Sequence, residues 1–174
     1  MWGFQRHGVV PDIVTLGKPM GNGYPVAGLV VRPEIVADFG RRGRYFNTFG
    51  GNTVAVAVAA AVLDVIEHEG PQQNAAVVGA YLKDRIGELA KQHAVIGDVR
   101  AAGLFLGVEI VGERGEPDAG AASRIVNALR DNNVLISATG PRANILKIRP
   151  PLVFTQEHAD FFTEKLAIVL SNRP

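Results

Sequence analysis

Three short stretches of this chain hold side chains that could do chemistry. In the run Ile13-Val14-Thr15-Leu16-Gly17-Lys18-Pro19 an apolar, β-branched segment gives out at a lysine. Gly21, Gly23 and Pro25 follow, building a turn-rich loop that another group can approach closely. A lysine held where a buried strand ends, walled by glycines, is poorly solvated, and desolvation favours the neutral amine that a Schiff base needs. Against this stands the plain fact that most lysines are solvated surface residues. The second stretch is Phe46-Asn47-Thr48-Phe49-Gly50-Gly51-Asn52, ahead of a long helical pattern. Free N–H groups at a helix start attract anions, two glycines let a phosphate come close, and Thr48 adds a hydroxyl. The simpler account is an N-cap turn with Asn52 as the cap. The third is Leu146-Lys147-Ile148-Arg149-Pro150-Pro151-Leu152. An arginine between a strand and two prolines is held in direction, and its guanidinium fork matches a carboxylate. A surface arginine or a structural ion pair is the alternative.

The elements that must position these residues read in order. Ile13 to Leu16 is a short buried strand and Val26 to Val31 a second apolar run. Pro33 to Phe39 is a short helix with proline at its first position. Arg41-Arg42-Gly43-Arg44 reads as a solvated loop with no site. The helix over 53–67 is nearly apolar all round, so it is expected to be buried or to sit in a subunit interface. Gly70-Pro71 ends it. A helix over 72–92 carries Val78, Leu82, Ile86 and Leu89 on one stripe, with its charges off it. Two strands, over 96–100 and 104–110, turn at Ala102-Gly103 as an antiparallel pair. A helix over 119–132 follows, with Ile125, Val126 and Leu129 as its stripe. Then come strands at Val134 to Ile136 and Ile145 to Arg149, and a last helix capped by Thr155, with Phe162, Leu166 and Val169 facing the core. Strands with covering helices predict a small α+β layer domain at the C-terminal end.

Composition narrows the classes. With 174 residues and 47% hydrophobic side chains the chain can build a real core, so disorder is not expected. A net charge of +1 without a long basic run argues against nucleic acid as a partner. There is no cysteine, which rules out disulfides and thiolate metal sites, and no metal is expected. Met1 to His7 lacks the apolar core of a signal peptide, and the apolar run from Thr53 to Leu63 is too short to span a bilayer. The expectation is a soluble, cytoplasmic protein with no membrane partner.

Taken together, the stretches resemble the class III (ω-) aminotransferases, a family of fold-type I pyridoxal-phosphate (PLP) enzymes. Asp12, two apolar residues, two more, a small residue, Lys18, three residues and Asn22-Gly23 match the second half of that family's cofactor-lysine signature. Phe46 to Asn52 is similar to the segment whose threonine contacts the cofactor phosphate across a dimer interface. The run Arg149-Pro150-Pro151-Leu152 resembles the segment whose arginine commonly binds the substrate carboxylate. The resemblance thus implies Lys18 as the catalytic and cofactor-binding Schiff-base lysine, Thr48 as a cofactor ligand in the neighbouring subunit's site, and Arg149 as a substrate ligand. It implies a homodimer, PLP as cofactor, and an amino donor and a keto-acid acceptor as partners. Pro19 directly after the lysine is nearest the branch of alanine–glyoxylate aminotransferase-like proteins and their phospholyase relatives, which eliminate phosphate and ammonia from phosphorylated amines. The fold class implied is α/β: a fragment of a fold-type I transferase, with the end of the PLP-binding large domain over 1–70 and the C-terminal α+β small domain over 71–174. The family's aspartate for the pyridine nitrogen, its phosphate-gripping glycine-serine loop and its stacking aromatic have no counterpart in this sequence. The isolated chain is therefore expected to be inactive. A non-catalytic interaction fragment, or a simple phosphate-binding module on Gly50-Gly51-Asn52, stands as the reading from outside the enzyme class.

Overall fold

The computed structural model describes residues 1–172 and divides into two compact units, Met1–Gly70 and Pro71–Pro174. The division falls where Gly70 takes a left-handed φ of 64° and Pro71 opens the next helix, the pairing of residues that stops one helix and starts another.

In the first unit β1 (Ile13–Leu16) and β2 (Gly28–Val31) form an antiparallel pair, with Ile13 opposite Val31 and Leu16 opposite Gly28. The open end is tied by Arg32, whose backbone N–H donates to Asp12 O and whose Nε lies 2.8 Å from the Asp12 carboxylate. Helix α1 (Pro33–Arg42) runs longer than the sequence pattern suggests. Arg41 and Arg42 belong to its last turn, both reaching Asp38 at 3.2 Å, rather than to a loop. Cations there also suit the negative end of the helix dipole. Helix α2 (Thr53–His68) follows. One expectation fails in this unit, and another is halved. β1 is not buried, since Ile13 is half exposed; α2 is not buried within this chain, since Val54, Val56, Leu63 and Val65 all face solvent, which leaves the subunit-interface alternative. A two-stranded ribbon and two helices have too little mass to cover both faces of a strand or all sides of an apolar helix.

The second unit carries the core. Helix α3 (Pro71–Gln92), strands β3 (Ile96–Ala102) and β4 (Phe105–Ile110), helix α4 (Ala119–Asp131), strands β5 (Ser137–Thr139) and β6 (Ile145–Ile148), and helix α5 (Gln156–Ser171) follow in order. The strands make one antiparallel sheet in the order β3-β4-β6-β5. Alternation decides its faces: Leu106, Val108 and Ile110 of β4 and Leu146 and Ile148 of β6 are buried, while Phe105 at the start of β4 is exposed and Gly107 and Glu109 between them are only half-buried. The inward side meets Leu82 and Ile86 of α3, Ile125 and Leu129 of α4, and Phe162 and Leu166 of α5, all in one cluster. Each such side chain contributes about 1.5–3 kcal/mol when fully buried. Helices α3 and α5 are joined at their surface by Asp160, which accepts from Tyr81 Oη at 2.7 Å and lies 3.4 Å from Arg85 Nε. That hydrogen bond, helped by burial, holds the Tyr81 phenol above its ordinary pKa.

One strand is displaced from where the sequence pattern puts it. Val134 to Ile136 does not join the sheet, and β5 begins only at Ser137. The cause is the end of α4: Asn133 takes a left-handed φ of 64°, and the Val134 N–H turns back to Leu129 O at 2.9 Å. A backbone donor used to cap a helix is not available to a sheet ladder. Across the described residues no helix is long and apolar enough to cross a membrane.

Candidate active-site segments

Lys18 is the second residue after β1, at the first position of a 3₁₀ turn, Lys18–Gly21. Its φ is +36°, in the left-handed region where a non-glycine residue is uncommon. Asn22 and Gly23 also have positive φ, so the chain reverses sharply after the lysine. The turn is closed by Met20 N–H to Gly17 O, Asn22 N–H to Pro19 O and Tyr24 N–H to Gly21 O, at 2.9–3.1 Å. Gly21 is buried, and a Cβ there would lie 2.6 Å from Val26 Cγ1. The turn also packs against α2. The backbone under Lys18 is thus fixed, but its side chain is exposed. That corrects the expectation of a poorly solvated lysine, because the glycines shape the turn and, having no side chains, do not wall the amine.

Thr48 lies in the turn ahead of α2 and is exposed. Two asparagines build the turn. Asn47 Oδ1 accepts from Phe49 N–H at 3.2 Å. Asn52 donates from Nδ2 to Phe49 O at 2.8 Å and accepts from Ala55 N–H at 2.9 Å, which makes it the N-cap of α2. The N-cap turn is therefore present, and Gly51, at φ +68°, supplies its reversal. With Asn52 engaged on Ala55, the N–H groups of Thr53 and Val54 remain for an anion beside Thr48.

Arg149 follows β6 directly and is exposed. No acidic side chain among the described residues lies within ion-pair distance of it, in contrast to Arg100, which is held by Asp98 and Glu109. Those two carboxylates raise the Arg100 pKa, the Glu109 hydrogen bond most, and make it a structural cation. After Arg149 the prolines run into a turn closed by Phe154 N–H to Pro151 O at 3.0 Å. A contact that sequence reasoning missed pins this turn: Asn74 of α3 donates from Nδ2 to Leu152 O at 2.7 Å and Phe154 O at 3.0 Å. Nothing in the local pattern signals a bond spanning almost eighty positions. Lys18 and Thr48 belong to the first unit and Arg149 to the second.

Residues 1–170 match the family described as Aminotransferase class-III. The chain belongs to that family. It is 46% identical over 172 residues to a protein of Arabidopsis thaliana named alanine–glyoxylate aminotransferase 2 homolog 2, mitochondrial, covering 98% of this chain and 36% of that one. Among solved structures, a phospholyase from Arthrobacter in complex with phosphoethanolamine superposes with a TM-score of 0.94 at 40% identity, over 100% of this chain and 42% of the other. A PLP-bound amine transaminase from an uncultivated Pseudomonas species matches with a TM-score of 0.83 at 31% identity, over 98% of this chain and 40% of its own. The chain thus spans about two fifths or less of the relatives it matches, and its α/β fold is that of the corresponding part of a PLP-dependent transaminase.

Proposed function

We propose that this chain supplies the cofactor-lysine segment and the carboxylate-binding domain of a PLP-dependent aminotransferase. In this reading unit 1 is the end of the PLP-binding large domain and unit 2 the small C-terminal domain. The observation that carries it is the backbone at Lys18: a non-glycine residue held at φ +36° by a closed turn, with its amine presented to solvent. Strain of this kind costs on the order of 1–3 kcal/mol and persists where a function keeps it. The donor set fits the cofactor, with an amine at the end of β1 and, on the turn ahead of α2, a hydroxyl and helix N–H groups suited to a phosphate. Lys18 Nζ would hold the cofactor covalently and then carry the proton between substrate carbon and cofactor. Thr48 and the first turn of α2 would bind phosphate in a neighbouring subunit's site, and Arg149 would orient the substrate by its carboxylate. When bound, the cofactor supplies the electron sink. The exposed apolar side of α2 supports the homodimer that this arrangement requires. Amino donors and keto acids are the partners proposed.

The experiment is borohydride reduction of the chain in millimolar PLP, followed by peptide mapping. Expected is a permanent adduct on Lys18 in preference to Lys83, Lys91, Lys147 and Lys165; equal labelling of all five would overturn the assignment. A second reading, elimination of phosphate and ammonia from a phosphorylated amine, is supported by the likeness to the Arthrobacter phospholyase with its phosphoethanolamine. Release of inorganic phosphate from phosphoethanolamine, without consumption of a keto acid, by a protein carrying this chain would favour it.

A further inference from the structure

Arg149 has a direction problem that its own side chain does not solve. It is exposed, and no carboxylate among the described residues holds its guanidinium. Its orientation must come from the backbone on either side. Before it, Ile148 is buried and paired with Leu106 in the sheet. After it, Pro150 and Pro151 have no N–H to donate, so that stretch can be anchored only through its carbonyls. The turn that follows shows two such anchor points, Leu152 O and Phe154 O, and a single amide takes both: Asn74 Nδ2, at 2.7 and 3.0 Å. Downstream, Thr155 and His158 form a capping box, with Thr155 N–H donating to His158 Nδ1, and Phe154 stacks beside the His158 ring. Those contacts hold the chain from Phe154 onward. On the side of Arg149 the turn is closed by its own Phe154 N–H to Pro151 O bond, and among the described residues Asn74 is the one side chain that ties it, through Leu152 O, to the rest of the domain.

The anchor is itself immobile. Asn74 sits in the first turn of α3, whose Val78, Leu82 and Ile86 are buried. One turn further on, Gly79 packs directly on the β3–β4 turn, where a Cβ would come within 2.3 Å of the Gly103 carbonyl group. Two prolines of fixed φ then couple the pinned turn to Arg149 with few free rotations.

We propose that Asn74 is a positioning residue: by holding the turn after the two prolines it fixes the direction in which Arg149 presents its fork to a carboxylate. The carboxylate part rests on the reading of Arg149 given above. A bidentate contact demands this, since a displacement of about 1 Å in such a site can cost on the order of a hundredfold.

The test uses the 174-residue chain labelled with ¹⁵N. Relaxation of the backbone amides of Arg149, Leu152, Val153 and Phe154 and of the Arg149 Nε–H reports direction, and titration with pyruvate reports carboxylate binding. In Asn74→Ala and in Asn74→Asp, which keeps the shape but loses both donors, the order of Arg149 and Leu152 is expected to fall while the amides of β3, β4 and β6 keep theirs. Asn74→Gln, which keeps the donors, should recover part of it. The pyruvate concentration that half-saturates the Arg149 Nε shift should rise about tenfold or more in the first two variants. Unchanged order at Arg149 in both, or lost order in variants that bind pyruvate as the unsubstituted chain does, overturns the proposal. Order lost as expected, with no pyruvate response even in the unsubstituted chain, supports the positioning of Arg149 by Asn74 and removes the carboxylate role from Arg149 itself.

Discussion

At the scale of single residues, stability and chemistry pull in opposite directions at Lys18. A glycine would occupy φ +36° without steric cost, so Lys18→Gly is expected to leave the turn intact and to relieve part of the 1–3 kcal/mol, roughly, stored there. A glycine also adds freedom to the unfolded chain, which offsets some of that gain. The same change removes the only amine on the turn, so the borohydride adduct should vanish from this segment while thermal stability holds or rises. A fall of several degrees in melting temperature would show that the lysine stem supports the fold. Arg149 poses the converse case: exposed and, among the described residues, without an ion-pair partner, it contributes nothing visible to packing. Arg149→Ala should leave the melting temperature within about a degree, in line with other surface changes of under about 0.5 kcal/mol. In a catalytically competent protein carrying this chain it should raise KM for carboxylate substrates by tenfold or more and leave PLP binding unaffected. An unchanged KM for both amino and keto substrates would take Arg149 out of the site.

At the scale of elements, legibility followed the strength of the local signal. The β3–β4 hairpin turning at Gly103, the stripe of Val78, Leu82 and Ile86 on α3, and the Thr155 cap of α5 could all be read directly. In each, the period or the capping chemistry is complete within a few residues. β5 could not be read, because Val134 has the composition of a strand residue but spends its N–H on the end of α4. The exposure of β1, of α2 and of Lys18 was equally hidden: an apolar face says that something must cover it, and sequence pattern does not say what. The candidate site residues were legible only through family likeness, since an exposed lysine, threonine or arginine has no periodic signature. Asn74 was invisible for a different reason, its partners lying far away in sequence. A packing prediction also belongs here. Helix α3 approaches the β3–β4 turn so closely at Gly79 that a methyl group has no room, and the obstacle is backbone rather than a side chain that can swing away. Ordinary overpacking costs about 1–3 kcal/mol, and the favourable helix propensity of alanine returns less than about 1. Gly79→Ala should therefore lower the denaturant midpoint of unit 2, whereas Gly87→Ala on the same helix, where a Cβ meets nothing within 4 Å, should raise it slightly. Equal effects at the two glycines would mean that α3 can shift away from the sheet at little cost.

At the scale of the whole molecule the two units are unequal, and that inequality decides what this chain can do by itself. Unit 2 encloses a cluster built from three helices and three of its strands. Unit 1, described throughout its length, buries only Gly21 and Ala55 and leaves Val10, Leu29, Val30, Phe46 and Phe49 open among others. Ordering its seventy residues costs about 1–2 kcal/mol each. The half-buried side chains of β1, β2 and α2 return only part of that at about 25 cal/mol per Å². The lysine turn is thus carried by the less stable half, while Arg149 stands on the more stable one. In hydrogen exchange on the 174-residue chain, amides of α3, α5 and β4 should show the slowest rates, and those of β1, β2 and α2 should exchange within seconds. However well the closed turn sets the Lys18 backbone, a unit that opens often keeps no fixed geometry for proton transfer, so the chain alone is expected to show no measurable transamination with common amino donors and keto acids, even where borohydride traps some PLP on Lys18. Fused to the part of the Arabidopsis relative that it does not match, the same residues should gain protection in β1 and α2 together with turnover, and Lys18→Ala in that fusion should remove the turnover but keep the protection. Slow exchange across residues 13–68 in the unfused chain, or robust turnover by it after rigorous purification, would show that unit 1 needs no further covering and would sink this account.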